Sequence, residues 1–193
     1  MKSCYQCDAQ VTYLFADARC AKCTRLTPEE VRGEPKENDM RERQEKWDMR
    51  YVRLAQEVAT WSKDPSTKVG AVLVRPNNSV ASTGFNGFPP GQNDHPELYA
   101  DRSYKYRHVV HAEVNALEFL TGETPHGFTL YTSFPCCPNC MEAAAKAGVT
   151  TVVFPPVQFE GKDQQWIDEW NARIDQSLEV ARRFDIKVRW VDV

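Results

Sequence analysis

The chain has 193 residues, 41% of them hydrophobic and 26% charged, which is the make-up of a folded protein rather than a disordered one. A formal net charge of −3 leaves no basic surplus for gripping a nucleic-acid backbone, so no polymeric nucleic-acid partner is expected. No apolar run approaches the roughly 20 residues of a membrane-spanning helix, and Met1-Lys2-Ser3-Cys4-Tyr5-Gln6-Cys7 lacks a signal-peptide core. No membrane association and a cytoplasmic location are therefore expected.

The seven cysteines stand at positions 4, 7, 20, 23, 136, 137 and 140. The odd count and the lack of a secretory segment argue for metal binding over a disulfide framework. Cys4 and Cys7, then Cys20 and Cys23, form two CxxC pairs with the spacing of a closed four-cysteine zinc site. Residues 1–26 are poor in large aliphatics, so a structural zinc would replace the core that they cannot build. Residues 27–39 are charged and broken by Pro and Gly, and read as a linker. Residues 1–36 are thus expected to be a zinc ribbon with its linker. With four basic side chains (Lys2, Arg19, Lys22, Arg25) against two acidic ones (Asp8, Asp17), the ribbon carries too small a surplus to suggest DNA binding.

Residues 37–193 form the main domain. Met40, Trp47, Tyr51, Leu54, Val58 and Trp61 share one helical face, and Asp64-Pro65 should end that helix near Ser62. Lys68 to Arg75, the turn Pro76-Asn77-Asn78 and Ser79 to Phe85 read as a β-hairpin. Residues 86–108 read as a long polar loop of the kind that is usually functional, with His95 a loop histidine. A helix from His111, a strand over Phe128–Thr132, a helix over Cys137–Ala147, a strand over Thr150–Phe154, a helix over Asp163–Phe184 and a strand over Ile186–Val191 follow. This alternation favours an α/β sheet with helices on both faces.

Two local patterns carry chemistry. His111-Ala112-Glu113 opens one predicted helix, and Cys137-Pro138-Asn139-Cys140 opens another. Zinc favours sulfur and nitrogen ligands, and one histidine with two cysteines leaves a fourth position for water, as catalytic sites do. A helix N-terminus helps to keep the thiols ionised. Glu113, near the open side of such a metal, suits a proton shuttle. Taken alone, His111 could be a helix-start histidine and Glu113 a first-turn carboxylate favoured by the helix dipole.

The H-x-E and P-C-x-x-C combination is the signature of zinc nucleobase deaminases, and this chain resembles it in all but the proline. More closely, the chain resembles the deoxycytidylate (dCMP) deaminases through SKDPSTKVGAVLV (62–74), STGFNGFPPG (82–91), KYRHVVHAEVNAL (105–117) and LYTSFPCCPNCMEAAAKAGV (130–149), over about residues 45–193. The resemblance implies a three-layer cytidine deaminase-like fold with a central mixed sheet. It implies a catalytic Zn²⁺ on His111, Cys137 and Cys140, and Glu113 as the group that protonates N3 and then the leaving amine while zinc-bound hydroxide attacks C4. The product would be dUMP, the precursor for thymidylate synthesis. Asn86 would hold sugar and base, and Lys63, Ser66, Thr67 and Lys68 would contact the phosphate. Gly84-Phe85-Asn86-Gly87 would correspond to a loop that binds dCTP or dTTP effectors with Mg²⁺, in a homo-oligomer that is often a hexamer. The chain departs from the family by Cys136 where proline usually precedes the first zinc cysteine, and by Phe85 in the effector loop. Action on a modified dCMP, tRNA or single-stranded DNA, or an inactive zinc-ribbon interaction protein, are the rival readings.

Overall fold

The computed structural model describes residues 2–3, 10–11, 37–158, 160–161 and 163–193. Cys4, Cys7, Cys20 and Cys23, and with them the expected ribbon zinc, lie outside the described residues. Two compact units are distinguished, residues 1–44 and 45–193. The first contains the antiparallel pair β1 (Lys2–Ser3) and β2 (Gln10–Val11). Helix α1 (Glu37–Ala59) runs across the division.

The second unit is built on a five-stranded mixed sheet. Strands β3 (Gly70–Val74) and β4 (Val80–Phe85) form the expected hairpin, with Asn78 at φ 65° in the turn, where a short polar side chain tolerates the left-handed region. β5 (Thr129–Thr132) pairs antiparallel with β3. β6 (Thr151–Phe154) and β7 (Lys187–Trp190) continue in parallel, giving the order β4-β3-β5-β6-β7. Helices α5 (Pro138–Ala147) and α6 (Gln164–Arg183) are the crossovers that parallel pairing requires.

Side-chain alternation along β3 separates two cores. Ala71 and Leu73 join Leu130, Val152 and Phe154 under α4 (Ala112–Glu118), α5 and α6. Val72 and Val74 face the other way, with Tyr131 and Val153, onto Tyr51, Val52, Ala55 and Val58 of α1. Helices thus cover both faces, as expected of the three-layer fold.

Two expectations need correction. Met40 and Trp61 do not join the buried face of α1; both are exposed, and the helix ends at Ala59. Asp48, Val52, Ala55 and Ala59 are buried there instead, and Asp48 accepts hydrogen bonds from the Tyr131 hydroxyl and from Arg189, tying α1 to β5 and β7. Residues 86–108 are not simply a loop, because they contain α2 (Pro96–Ala100) and α3 (Arg102–His108). Pro96 starts α2 directly after His95, and the Asp101 carboxylate caps α3 by accepting from the backbone of Ser103 and Tyr104. Among the described residues no helix is long and apolar enough to cross a membrane.

Candidate metal centre

The carboxyl end of β5 leads through the turn 133–137 into α5. That turn is pinned to β3: Gly70 N–H donates to Ser133 Oγ at 3.0 Å, and Ser133 N–H donates to the Gly70 carbonyl at 2.9 Å. Thr132 Oγ1 donates to the Phe134 carbonyl at 2.7 Å. Cys137 is the N-cap of α5, its sulfur accepting from Cys140 N–H at 3.5 Å, and Pro138 occupies the first turn where no N–H is needed. At the other end Gly148 closes the helix at φ 101°.

His111 is the N-cap of α4. Gly87 and Val110 form an isolated bridge that delivers the chain to it. Three contacts fix α4 against β4. Ser82 Oγ donates to the Ala116 carbonyl, Asn115 Nδ2 donates to the Phe85 carbonyl at 2.7 Å, and Gly84 lets the backbones meet. A Cβ on Gly84 would stand 2.3 Å from both Ala112 O and Ala116 N, so only glycine permits this approach.

These placements bring His111, Cys137 and Cys140 together, with their ligand atoms within 4.8 Å of one another. His111 Nδ1 lies 3.6 Å from Cys137 Sγ and 3.2 Å from Cys140 Sγ. Tetrahedral bonds of about 2.3 Å to sulfur and 2.0 Å to nitrogen put those atoms about 3.5 Å apart, so the residues fit Zn²⁺ in spacing and in donor chemistry.

The electrostatics also fit a cation. The hydrogen bond from Cys140 brings the Cys137 thiol down to about 4 against the opposing effect of burial, with His111 helping. The same bond, then burial and the charge of Glu113, hold Cys140 well above the usual thiol range. His111 is raised by its hydrogen bond to Cys137, which outweighs burial. Both sulfurs cannot ionise side by side unless a positive ion lies between them.

Glu113 sits in the first turn of α4, only 4% exposed, and burial raises its carboxyl despite the charge of His111. Cys136, 2% exposed, donates to Glu113 Oε1 at 3.3 Å. Burial and then the Glu113 charge hold that thiol well above its ordinary value. The sequence marks Cys136 as a departure from the family pattern but gives no sign of this contact.

Of the other expected site residues, Ser66, Thr67 and Asn86 gather around Asp64, while Lys63 and Lys68 do not. This fully buried carboxylate accepts from Ser66 N–H and Oγ at 2.9 Å, from Thr67 N–H at 3.1 Å and from Lys105 Nζ at 2.8 Å. Burial alone would raise Asp64, but Lys105 and the Ser66 and Thr67 donors outweigh it and hold the group low. The Asn86 amide is engaged in the same assembly. Oδ1 accepts from Val69 N–H at 2.8 Å, and Nδ2 donates to the Thr67 carbonyl at 2.9 Å. Lys63 pairs with Asp94 at 2.9 Å, and Lys68 reaches the Thr60 carbonyl at 3.4 Å. Lys105 was missed because its partner is 41 residues away. Beside this assembly is a cavity of about 240 Å³ lined by Trp61, Lys63, Phe85, Gly87, Phe88 and Phe119 among others; none of His111, Glu113, Cys137 or Cys140 borders it.

Residues 45–155 match the cytidine and deoxycytidylate deaminase zinc-binding region. An uncharacterized deaminase of the luxG 3′ region of Aliivibrio fischeri is 34% identical over 146 residues, covering 76% of this chain and 94% of that one. Human deoxycytidylate deaminase is 30% identical over 125 residues, covering 61% of this chain and 69% of that one. The dCMP deaminase of cyanophage S-TIM5, solved in complex with dCMP and dUMP, superposes with a TM-score of 0.59 at 24% identity, covering 76% of this chain and 97% of that chain. That likeness concerns the fold.

Proposed function

We propose, starting from the chain's membership of the cytidine and deoxycytidylate deaminase family, that it deaminates dCMP to dUMP and ammonia. The observation that carries this reading is a buried Glu113 in the first turn of the helix that His111 caps, with the ligand atoms of His111, Cys137 and Cys140 within 4.8 Å of one another. His111, Cys137 and Cys140 hold Zn²⁺, which supplies an acidified water at neutral pH when bound. Glu113 accepts a proton, delivers it to N3 of the cytosine, and then carries a second to the departing C4 amine. Burial raises its carboxyl, which favours the uptake of the proton that it then delivers.

The 5′-phosphate lies against the turn 63–68 in this reading. Lys63 and Lys68 are exposed cations there, while Ser66 and Thr67 hold the turn's shape through Asp64. Asn86 supports the nucleotide by locking that turn to β4. The cavity beside Phe85 and Gly87 is the place for a dCTP or dTTP effector with Mg²⁺, within a homohexamer. A second, structural zinc on Cys4, Cys7, Cys20 and Cys23 completes the assignment, in a domain separate from residues 37–193, and the enzyme works in the cytoplasm.

The test is deamination by the full chain of dCMP, CMP, dCTP and deoxycytidine, each with and without dCTP and dTTP, alongside zinc content. The expected result is turnover of dCMP above the others with two zinc ions per chain, and no turnover but the same zinc content in Glu113→Gln. Turnover of none of the four overturns the reading and leaves an interaction protein or a polymer substrate.

A further inference from the structure

We infer that Cys136 is a positioning residue for Glu113, its buried thiol holding Oε1 so that Oε2 is turned toward the reacting atoms. This rests on the reading of Glu113 as the proton carrier. A carboxylate on a glutamate rotates easily about its last torsion, and a buried one needs donors to choose an orientation. Among the described residues, Glu113 accepts from its own backbone N–H and from one side chain, Cys136 Sγ at 3.3 Å. Both groups are nearly closed off, at 2% and 4% exposed, so water does not take the thiol's place easily.

The position of the sulfur is itself well defined. Cys136 ends the turn that Ser133 fastens to Gly70 and that Thr132 braces through Phe134. The following residue, Cys137, belongs to the metal-binding group. One short segment therefore places a metal-binding sulfur and the orientation of the carboxylate together, so the two stay in register. The choice of donor matters as well. A thiol is a weak donor, so it sets the plane of the carboxylate without competing strongly for the lone pair that must accept a proton. A charged donor in its place would hold that pair far more firmly.

The experiment compares Cys136→Ala, Cys136→Ser and Glu113→Gln with the unaltered chain, measuring kcat, KM for dCMP, zinc content and melting temperature. Loss of one hydrogen bond to an ionisable group predicts a fall in kcat of about tenfold or more for Cys136→Ala. KM and zinc content should stay unchanged, and Cys136→Ser, which keeps a donor, should recover most of the loss. A purely packing role would not separate Ser from Ala in kcat at equal melting temperature. Wild-type kcat in Cys136→Ala, an equal fall in Ser and Ala, or a loss of zinc that accounts for the loss of rate would each overturn the inference. Glu113→Gln keeps the two readings apart. If it retains turnover, the proton-carrier assignment fails; if it is inactive while Cys136→Ala is not impaired, only the positioning role fails.

Discussion

Gly84→Ala should damage catalysis far more than its size suggests. The added Cβ would stand 2.3 Å from Ala112 O and Ala116 N, and both are backbone atoms that no side-chain rotation can move. Ordinary contact begins near 3.4 Å, so α4 must retreat from β4 by about 1 Å. Overpacking of this kind costs about 1–3 kcal/mol, which for a chain of this size lowers the melting temperature by roughly 2–12 °C. The larger effect falls on chemistry, because α4 carries Glu113 and is capped by His111, while Cys137 and Cys140 stay on α5. A misplacement of about 1 Å at reacting groups can lower the rate by about 100-fold. Steady-state deamination of dCMP, with zinc content and thermal melting on the same preparations, reads both effects. A folded Gly84→Ala protein with wild-type kcat would refute the argument.

Asp48→Ala removes the acceptor shared by Tyr131 and Arg189, and should cost about 3 kcal/mol in urea unfolding, with zinc content and KM unchanged; a loss below 1 kcal/mol would mean that water replaces the carboxylate. The Asp64–Lys105 pair should make stability acid-sensitive. The folded-state pKa of Asp64 lies below the ordinary value of 3.8, so its contribution is complete above that pH and disappears as the pH falls through the lower, folded value. The stability gap between the unaltered chain and Asp64→Asn/Lys105→Met should therefore close below about pH 4, and a gap that does not change with pH would contradict the ion-pair account.

The parts of this protein that can be read in the sequence are those fixed by neighbours in the chain. Helix caps are local, and the candidate metal group uses two of them: Cys137 and Cys140 are marked by their CxxC spacing, while His111 is singled out only by the resemblance of its segment to the family. The hairpin and the crossover helices follow from periodicity for the same reason. Even the two short helices within 86–108 were signalled by Pro96 and by the Asp101 cap, and were hidden only by the polar composition around them. What could not be read joins distant segments. Arg189 meets Asp48 across 141 residues and Lys105 meets Asp64 across 41, and no periodicity encodes such a pairing. Each leaves the trace of a charged residue at a buried position, visible only once burial is known.

Local motifs mark the ligands, but the sheet decides whether they meet. His111 and Cys137 are 26 residues apart and belong to different helices, and neither helix touches a metal-site residue of the other through continuous chain. Their separation is set through β4, β3 and β5: α4 rests on β4 at Gly84 and Ser82, β4 pairs with β3, β3 pairs with β5, and Gly70 of β3 holds Ser133 ahead of α5. A one-residue slip in either pairing would turn the flanking side chains to the opposite face and separate the histidine from the sulfurs. The strands therefore do more than supply a core. Their register is the ruler by which two local motifs become one site, and this is why a methyl group on Gly84 is expected to be felt in kcat.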